Sequence, residues 1–262
     1  MIRGLEHFKE HFKEHFKEHF RKHAENFILV GGVASHLLLE EAGASKLRPT
    51  KDLDIVLAMK PDDEFLGAIR DYIRRGGYEI QKGKKNQAIF YRFQKPKDER
   101  FPAMLELFSA AAEGIDFSED QRIIPIADSA GAKSLSAILL DPDYFAIIRK
   151  NAVEKDGIFI INEMALIPFK AKAYLDIRGR GEDSKSWKKH RADIINLAVN
   201  FLTEESKESL SGKVRDHFLD FMNQIKEELT IEIITGACNQ DVAPETLIDL
   251  LEKTFLSDSE IS

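Results

Sequence analysis

Two glycines closing one apolar run, followed about twenty residues later by Asp-x-Asp inside another, constrain this chain more than any other feature of it. Phe27-Ile28-Leu29-Val30-Gly31-Gly32-Val33-Ala34-Ser35 reads as a buried strand that breaks at the glycine pair and passes straight into an apolar helix. Bare backbone N–H groups then sit at a helix N-terminus, where a phosphate is favourably held. Thr50-Lys51-Asp52-Leu53-Asp54-Ile55-Val56-Leu57 reads as a strand carrying two carboxylates. Because side chains alternate along a strand, Asp52 and Asp54 share one face about 7 Å apart at Cα, while Leu53 and Ile55 take the other. That arrangement suits a divalent metal ion.

A third acid interrupts the apolar run Ala103-Met104-Leu105-Glu106-Leu107-Phe108. A charge on an apolar strand is costly unless it is paired or coordinates metal. Asp52, Asp54 and Glu106 on neighbouring strands, beside a phosphate-holding turn, would make a two-metal phosphoryl-transfer site. Asp-x-Asp alone is common in surface turns and Gly-Gly alone is weak, so the order, spacing and apolar flanks together carry this reading.

At these residues the chain resembles the nucleotidyltransferase superfamily with the polymerase-beta-like fold, whose pattern is Gly-Gly or Gly-Ser, a helix, Asp-x-Asp/Glu, and later an isolated strand acid. The longer Gly-to-Asp gap, with Arg48-Pro49-Thr50-Lys51 before the first Asp, is more similar to the AbiE-type (AbiEii-like) toxin nucleotidyltransferases. Leu166-Ile167-Pro168-Phe169-Lys170-Ala171-Lys172-Ala173, followed by Lys188-Lys189-His190-Arg191-Ala192-Asp193-Ile194, is similar to that branch's lysine-bearing helix and its downstream acidic helix. His190 stands where the branch has its first Asp. The resemblance covers roughly residues 25 to 200 and implies an α/β (α+β) core with a mixed sheet, followed by a mostly helical C-terminal portion. It also implies transfer of a nucleoside monophosphate from an NTP to an acceptor hydroxyl. Asp52, Asp54 and Glu106 would hold two Mg²⁺ (or Mn²⁺) ions, and Gly31, Gly32, Ser35 and Thr50 the triphosphate. Lys170, with Lys172 behind it, would face the departing phosphates, with Asp193 orienting that lysine or acting directly. A tRNA 3′ end, a protein hydroxyl and a small molecule remain open as acceptors, and a toxin would have a cognate antitoxin. Two competing readings are a small-molecule, antibiotic-type nucleotidyltransferase and a nucleotide-binding antitoxin or sensor without turnover.

Composition fits such an enzyme without requiring it. The 262 residues, 43% apolar and 32% charged, suffice for one or two globular domains. No apolar run approaches the roughly 18 to 20 residues that span a bilayer, and the N-terminus is amphipathic rather than signal-like, so a cytoplasmic protein is expected. A lone cysteine, Cys238, excludes an internal disulfide framework and gives no zinc set. The net charge of −7 argues against bulk, sequence-independent nucleic-acid binding. Locally, however, Lys170 to Arg191 holds eight basic residues against three acids. Such a segment is either a phosphate or polynucleotide contact or a solvated helix-loop-helix face.

Three portions are expected: an N-terminal amphipathic helix (1–24), a core (25–128) and a mostly helical remainder (129–262). In the core we expect strand Phe27–Val30, helix Val33–Glu41, strand Asp52–Leu57, helix Asp63–Arg75, strands near Tyr78–Gln81 and Gln87–Phe93, and the Glu106 strand. Beyond Ser129 only Gly157–Ile161 reads as strand-like, and Pro168 is expected in the first turns of its helix. The N-terminal repeat Glu-His-Phe-Lys spaces Phe8, Phe12, Phe16 and Phe20 four apart, with a histidine ladder beside them. Packing of the Phe stripe explains this repeat better than a metal-binding ladder. Ser35 and His36 are adjacent on a helix and point apart, so they do not form a nucleophile–base pair. Trp187 reads as an anchor rather than a base-stacking platform.

Overall fold

The computed structural model describes residues 2–11, 26–57, 63–82, 88–110, 123–126 and 135–257. Two compact units emerge, one from Met1–Val33 with Pro49–Ile161, the other from Ala34–Arg48 with Asn162–Ser262. Among the described residues no helix is long and apolar enough to cross a membrane.

The first unit is built on a mixed sheet. Its elements are a helical stretch over residues 5–11 (α1), β1 (Phe27–Val30), the start of α2 (Gly31–Glu41), β2 (Asp52–Leu57), α3 (Asp63–Gly76), β3 (Glu79–Lys82), β4 (Ala88–Gln94), β5 (Met104–Ala110), β6 (Ile123–Ile126), β7 (Leu135–Leu140), α4 (Pro142–Lys150), β8 (Ala152–Lys155) and β9 (Ile158–Ile161). The strands run in the order β3-β4-β5-β2-β1-β9-β8, with β7 on β5 and β6 on β7. Parallel pairs (β2 with β5, β1 with β9, β5 with β7) stand among antiparallel ones, which makes the sheet mixed. Along β2 the apolar Leu53, Ile55, Val56 and Leu57 are buried while Asp52 and Asp54 stay partly exposed.

Amphipathic α3 buries Phe65, Leu66, Ile69 and Tyr72, with acids in its first turn and Arg74 and Arg75 in its last, which complements the helix dipole. Phe8 of α1 is 1% exposed and meets Phe27 and Tyr72 edge-on, with ring centroids 5.8 and 5.3 Å apart. The stripe's first member thus packs as the sequence suggests. Its neighbours His7 and His11 lie against Phe101 and Tyr72. Phe12, Phe16 and Phe20 fall outside the described residues.

The second unit is helical: the rest of α2, then α5 (Glu163–Gly179), α6 (Ser184–Phe201), α7 (Gly212–Glu228), α8 (Ile231–Cys238) and α9 (Pro244–Phe255). Tyr174, Phe218, Phe221 and Phe255 are fully buried and pack ring on ring. Cys238 is buried too, its Sγ directed at the Ile234 carbonyl.

The structure corrects two expectations. The helix after β1 starts at Gly31 rather than Val33, so the glycine pair itself forms its first turn. The segment after residue 129 does not turn helical at once, because β7, β8 and β9 all join the sheet, and the units divide at Ile161/Asn162 rather than near 128. Strands β8 and β9 form a hairpin whose Asp156 and Gly157 both have positive φ, +50° and +77°, the geometry an Asp-Gly two-residue turn adopts. Pro168 lies in the second turn of α5, within the first turns as expected, after Asn162 caps the helix by accepting the Met164 N–H at 3.1 Å.

Candidate functional site

Strand register sets the chemistry of the first unit. Arg92 on β4 pairs with Glu106 on β5, Glu106 with Asp54 on β2, and Asp54 with Val30 on β1, the residue just before Gly31. The adjacent row, Phe93, Leu105 and Leu53, is buried. Since faces alternate, Arg92, Glu106 and Asp54 lie together on the opposite face, and Asp52, two residues back, shares it. Asp52, Asp54 and Glu106 therefore come onto one face of two adjacent strands, as the sequence suggests.

Gly31 shows why glycine stands at the strand end. Its φ is +67°, and a Cβ there would lie 2.1 Å from Asp54 Oδ2. A Cβ on Gly32 would lie 2.5 Å from Thr50 Oγ1. Only bare backbone lets the Asp54 carboxylate and the Thr50 hydroxyl approach the first turn of α2 this closely. The result is a carboxylate and a hydroxyl beside backbone amides at a helix start, where a metal-bound phosphate can be held from both sides.

Glu106 is 8% exposed and is held by Arg92, whose Nε donates to Oε1 at 2.9 Å, with Nη2 donating to the same oxygen. Among the described residues no three His, Cys, Asp or Glu side chains are gathered into a metal-binding set. Asp52 and Asp54 nevertheless fit a hard divalent cation: their donors are carboxylate oxygens, they share a face, they are partly exposed, and Asp54 abuts the Gly31 cradle. Glu106 fits as a third ligand only if it leaves Arg92.

In the second unit, Lys170 on α5 and Asp193 on α6 meet as expected, Nζ to Oδ2 at 2.5 Å, both buried. Arg48 grips the same carboxylate, with Nε to Oδ1 at 2.9 Å and Nη2 to Oδ2 at 2.5 Å. Burial alone would raise the Asp193 pKa, but the Lys170 charge and the Arg48 hydrogen bonds outweigh it and hold the carboxyl below its usual range. Beside them His190 is driven the other way. Burial first, then the positive charges of Lys170 and Lys189, lower its pKa to about 3, and its buried Nδ1 has no hydrogen-bond partner among the described residues. His190 is thus a neutral imidazole at physiological pH.

Other expected groups are differently engaged. The Ser35 hydroxyl is buried and has no partner among the described residues. His36 turns its Nδ1 to the Arg48 carbonyl at 3.4 Å and away from any pairing with Ser35. Lys172 is ion-paired to Asp176 one turn along α5. Within the basic segment, Arg178 and Arg191 both bind Glu228 and Arg180 binds Glu182, whereas Lys185, Lys188 and Lys189 form no ion pair among the described residues. Trp187 stands edge-on to Tyr174 at 5.4 Å, with the Arg178 guanidinium 5.0 Å above its ring, which fits an anchor.

Sequence reasoning missed Arg92 and Arg48 as partners of the two buried acids. Arg92 had a visible signal: it is flanked by Tyr91 and Phe93 in an alternating run whose polar face had to meet a neighbouring strand. Arg48 had none beyond its place before Pro49.

No protein-family model matches the chain, and no curated protein is similar to it. Among solved structures it is similar to the antibiotic-resistance factor ANT(2'')-Ia, with 14% identity and TM-score 0.36 over 77% of this chain and 84% of that one. An antigenic nucleotidyltransferase-like protein from Paracoccidioides brasiliensis shares 10% identity at TM-score 0.38, over 84% and 87% of the two chains. JHP933 from Helicobacter pylori shares 16% at TM-score 0.35, over 86% and 80%.

Proposed function

We propose that the protein is a metal-dependent nucleotidyltransferase. One observation carries the reading: Gly31, held at positive φ, lets the Asp54 carboxylate reach the backbone at the start of α2, so that cation ligand and phosphate-binding amides adjoin. Gly31 and Gly32 hold the phosphates of a nucleoside triphosphate through backbone N–H groups, and Thr50 donates its hydroxyl to the same phosphates. Asp52 and Asp54 hold Mg²⁺ or Mn²⁺, with Glu106 on the acceptor side. Bound there, the metal supplies charge neutralisation of the phosphates and activation of the acceptor oxygen. As the acceptor hydroxyl gives up its proton to solvent, its oxygen forms a bond to the α-phosphorus and the bond from phosphorus to pyrophosphate breaks. From the sequence pattern, Lys170 supplies positive charge for the departing pyrophosphate, and Asp193, itself held by Arg48, fixes its ammonium.

The finer reading also follows the sequence pattern: an AbiE-type toxin that works in the cytoplasm on tRNA or a protein and is opposed by a cognate antitoxin. Incubation with each labelled triphosphate, Mg²⁺ and either total RNA or lysate tests both levels. Label should enter one polymer, and Asp52→Ala or Asp54→Ala should abolish it while leaving the fold intact, because removing one acid relieves like-charge repulsion in the metal-free site. Near wild-type turnover by either variant would overturn the assignment. Label confined to small hydroxyl compounds would overturn the toxin reading alone.

A further inference from the structure

Glu106 already has a cation. Three carboxylates on one sheet face repel each other, and at about 4.8 Å between strands the Asp54–Glu106 pair repels most. Arg92 meets Glu106 from the other side, in register, on β4, with β5 lying between β4 and β2. Its side chain is 34% exposed against 10% for that of Glu106, so the guanidinium can withdraw into solvent without crossing the core, while the carboxylate stays where it is. Two contacts from Arg92, those of Nε and Nη2, fall on the same oxygen, Oε1.

We propose that Arg92 is a resident counter-ion that a divalent cation displaces: it neutralises Glu106 in the metal-free site and yields it when the ion binds beside Asp54. Arg92 is then a positioning residue that acts through Glu106, and it sets the affinity of the acidic face for metal. The proposal rests on the metal-site reading above. It separates this pair from an ordinary ion pair, whose loss would weaken the fold with or without metal.

The test is Mn²⁺ binding to the full chain, measured by calorimetry and by the loss of the free-Mn²⁺ resonance signal, with melting temperatures taken in chelator and in saturating Mn²⁺. Wild type should bind Mn²⁺, and Asp54→Asn should abolish that binding. Arg92→Gln should bind Mn²⁺ about tenfold tighter or more, because a competing positive charge a few ångströms away has gone. The same variant should melt lower than wild type in chelator, by about 3 °C or more, and recover most of that loss in Mn²⁺. Arg92→Lys should fall between the two. Should Arg92→Gln bind Mn²⁺ no tighter than wild type, or lose as much stability in Mn²⁺ as in chelator, the pair is a structural ion pair and the proposal fails while the metal site stands. A drop in ATP affinity with unchanged Mn²⁺ affinity would make Arg92 a phosphate contact and likewise overturn it. Wild type that binds no Mn²⁺, or binds it regardless of Asp54→Asn, would remove both the metal site and the exchange.

Discussion

Replacing Gly31 by alanine separates the two constraints that glycine meets there. At φ +67° a residue with a Cβ costs roughly 1–2 kcal/mol in backbone strain. That Cβ would also lie 2.1 Å from Asp54 Oδ2, where ordinary contact begins at 3.4 Å, so the carboxylate must retreat by more than an ångström. Overpacking of this kind adds about 1–3 kcal/mol, for a total of roughly 2–5 kcal/mol. The clash belongs to the Asp54 carboxylate alone, since the Asp54 Cβ is already at 3.4 Å. In an Asp54→Ala background, Gly31→Ala should therefore cost only the strain, leaving a coupling of about 1–3 kcal/mol between the two sites. Urea unfolding of the four proteins in chelator measures that coupling. Gly31→Asn, which tolerates positive φ but carries a Cβ, should lose less stability than alanine yet keep the coupling. A coupling near zero would mean that the Asp54 carboxylate does not approach α2 this closely, and the juxtaposition of cation ligand and phosphate-binding amides would be refuted with it.

His190 makes stability depend on pH, with a sign fixed by its lowered pKa of about 3: the unfolded chain protonates first, so stability present above pH 6.5 is lost as the pH falls. Linkage gives a loss of about 2–3 kcal/mol between pH 7 and pH 4.5 that His190→Gln should remove, and equal pH slopes for the two proteins would contradict it. Lys170→Met leaves the buried Asp193 with Arg48 alone and should cost about 3–5 kcal/mol, most of it recovered in Lys170→Met/Asp193→Leu, where no buried charge is stranded. A single variant within about 1 kcal/mol of wild type would show that Arg48 suffices.

Whatever local pattern determines was legible in the sequence. Phe27–Val30 and Asp52–Leu57 fall where their apolar runs place them, and period-two alternation along the chain is enough to put Asp52 and Asp54 on one face. Helix α3 follows from its apolar stripe and terminal charges. The β8–β9 hairpin was also local, written in Asp156-Gly157, but the surrounding helical pattern masked it. The ion pairs lie beyond that reach. Arg92 meets Glu106 only because β4 and β5 run antiparallel in one particular register, and a shift of a single residue would send the guanidinium to the buried face. Arg48 and Asp193 are 145 residues apart, and nothing along the chain links them. Sequence marks which residues carry charge; the fold decides which charges remain to be met by a ligand.

The basic segment shows the consequence and allows a bound. Read in a window, Lys170 to Arg191 has a formal charge of +5, but Asp193 and Glu228, outside the window, pair with Lys170, Arg178 and Arg191, and counting them leaves +3. Lys172 and Arg180 are paired within it. Lys185, Lys188 and Lys189 remain to meet a polyanion, so if RNA is the acceptor and binds here, the log-log salt slope of labelling should be no steeper than about three. Neutralising all three should weaken RNA labelling and flatten that slope by about one unit per lost contact, while transfer to a small hydroxyl acceptor is spared. A wild-type slope well above three would place phosphate contacts elsewhere on the chain. An unchanged slope in the triple variant would make this segment a solvated face and withdraw the support it lends to a polynucleotide acceptor.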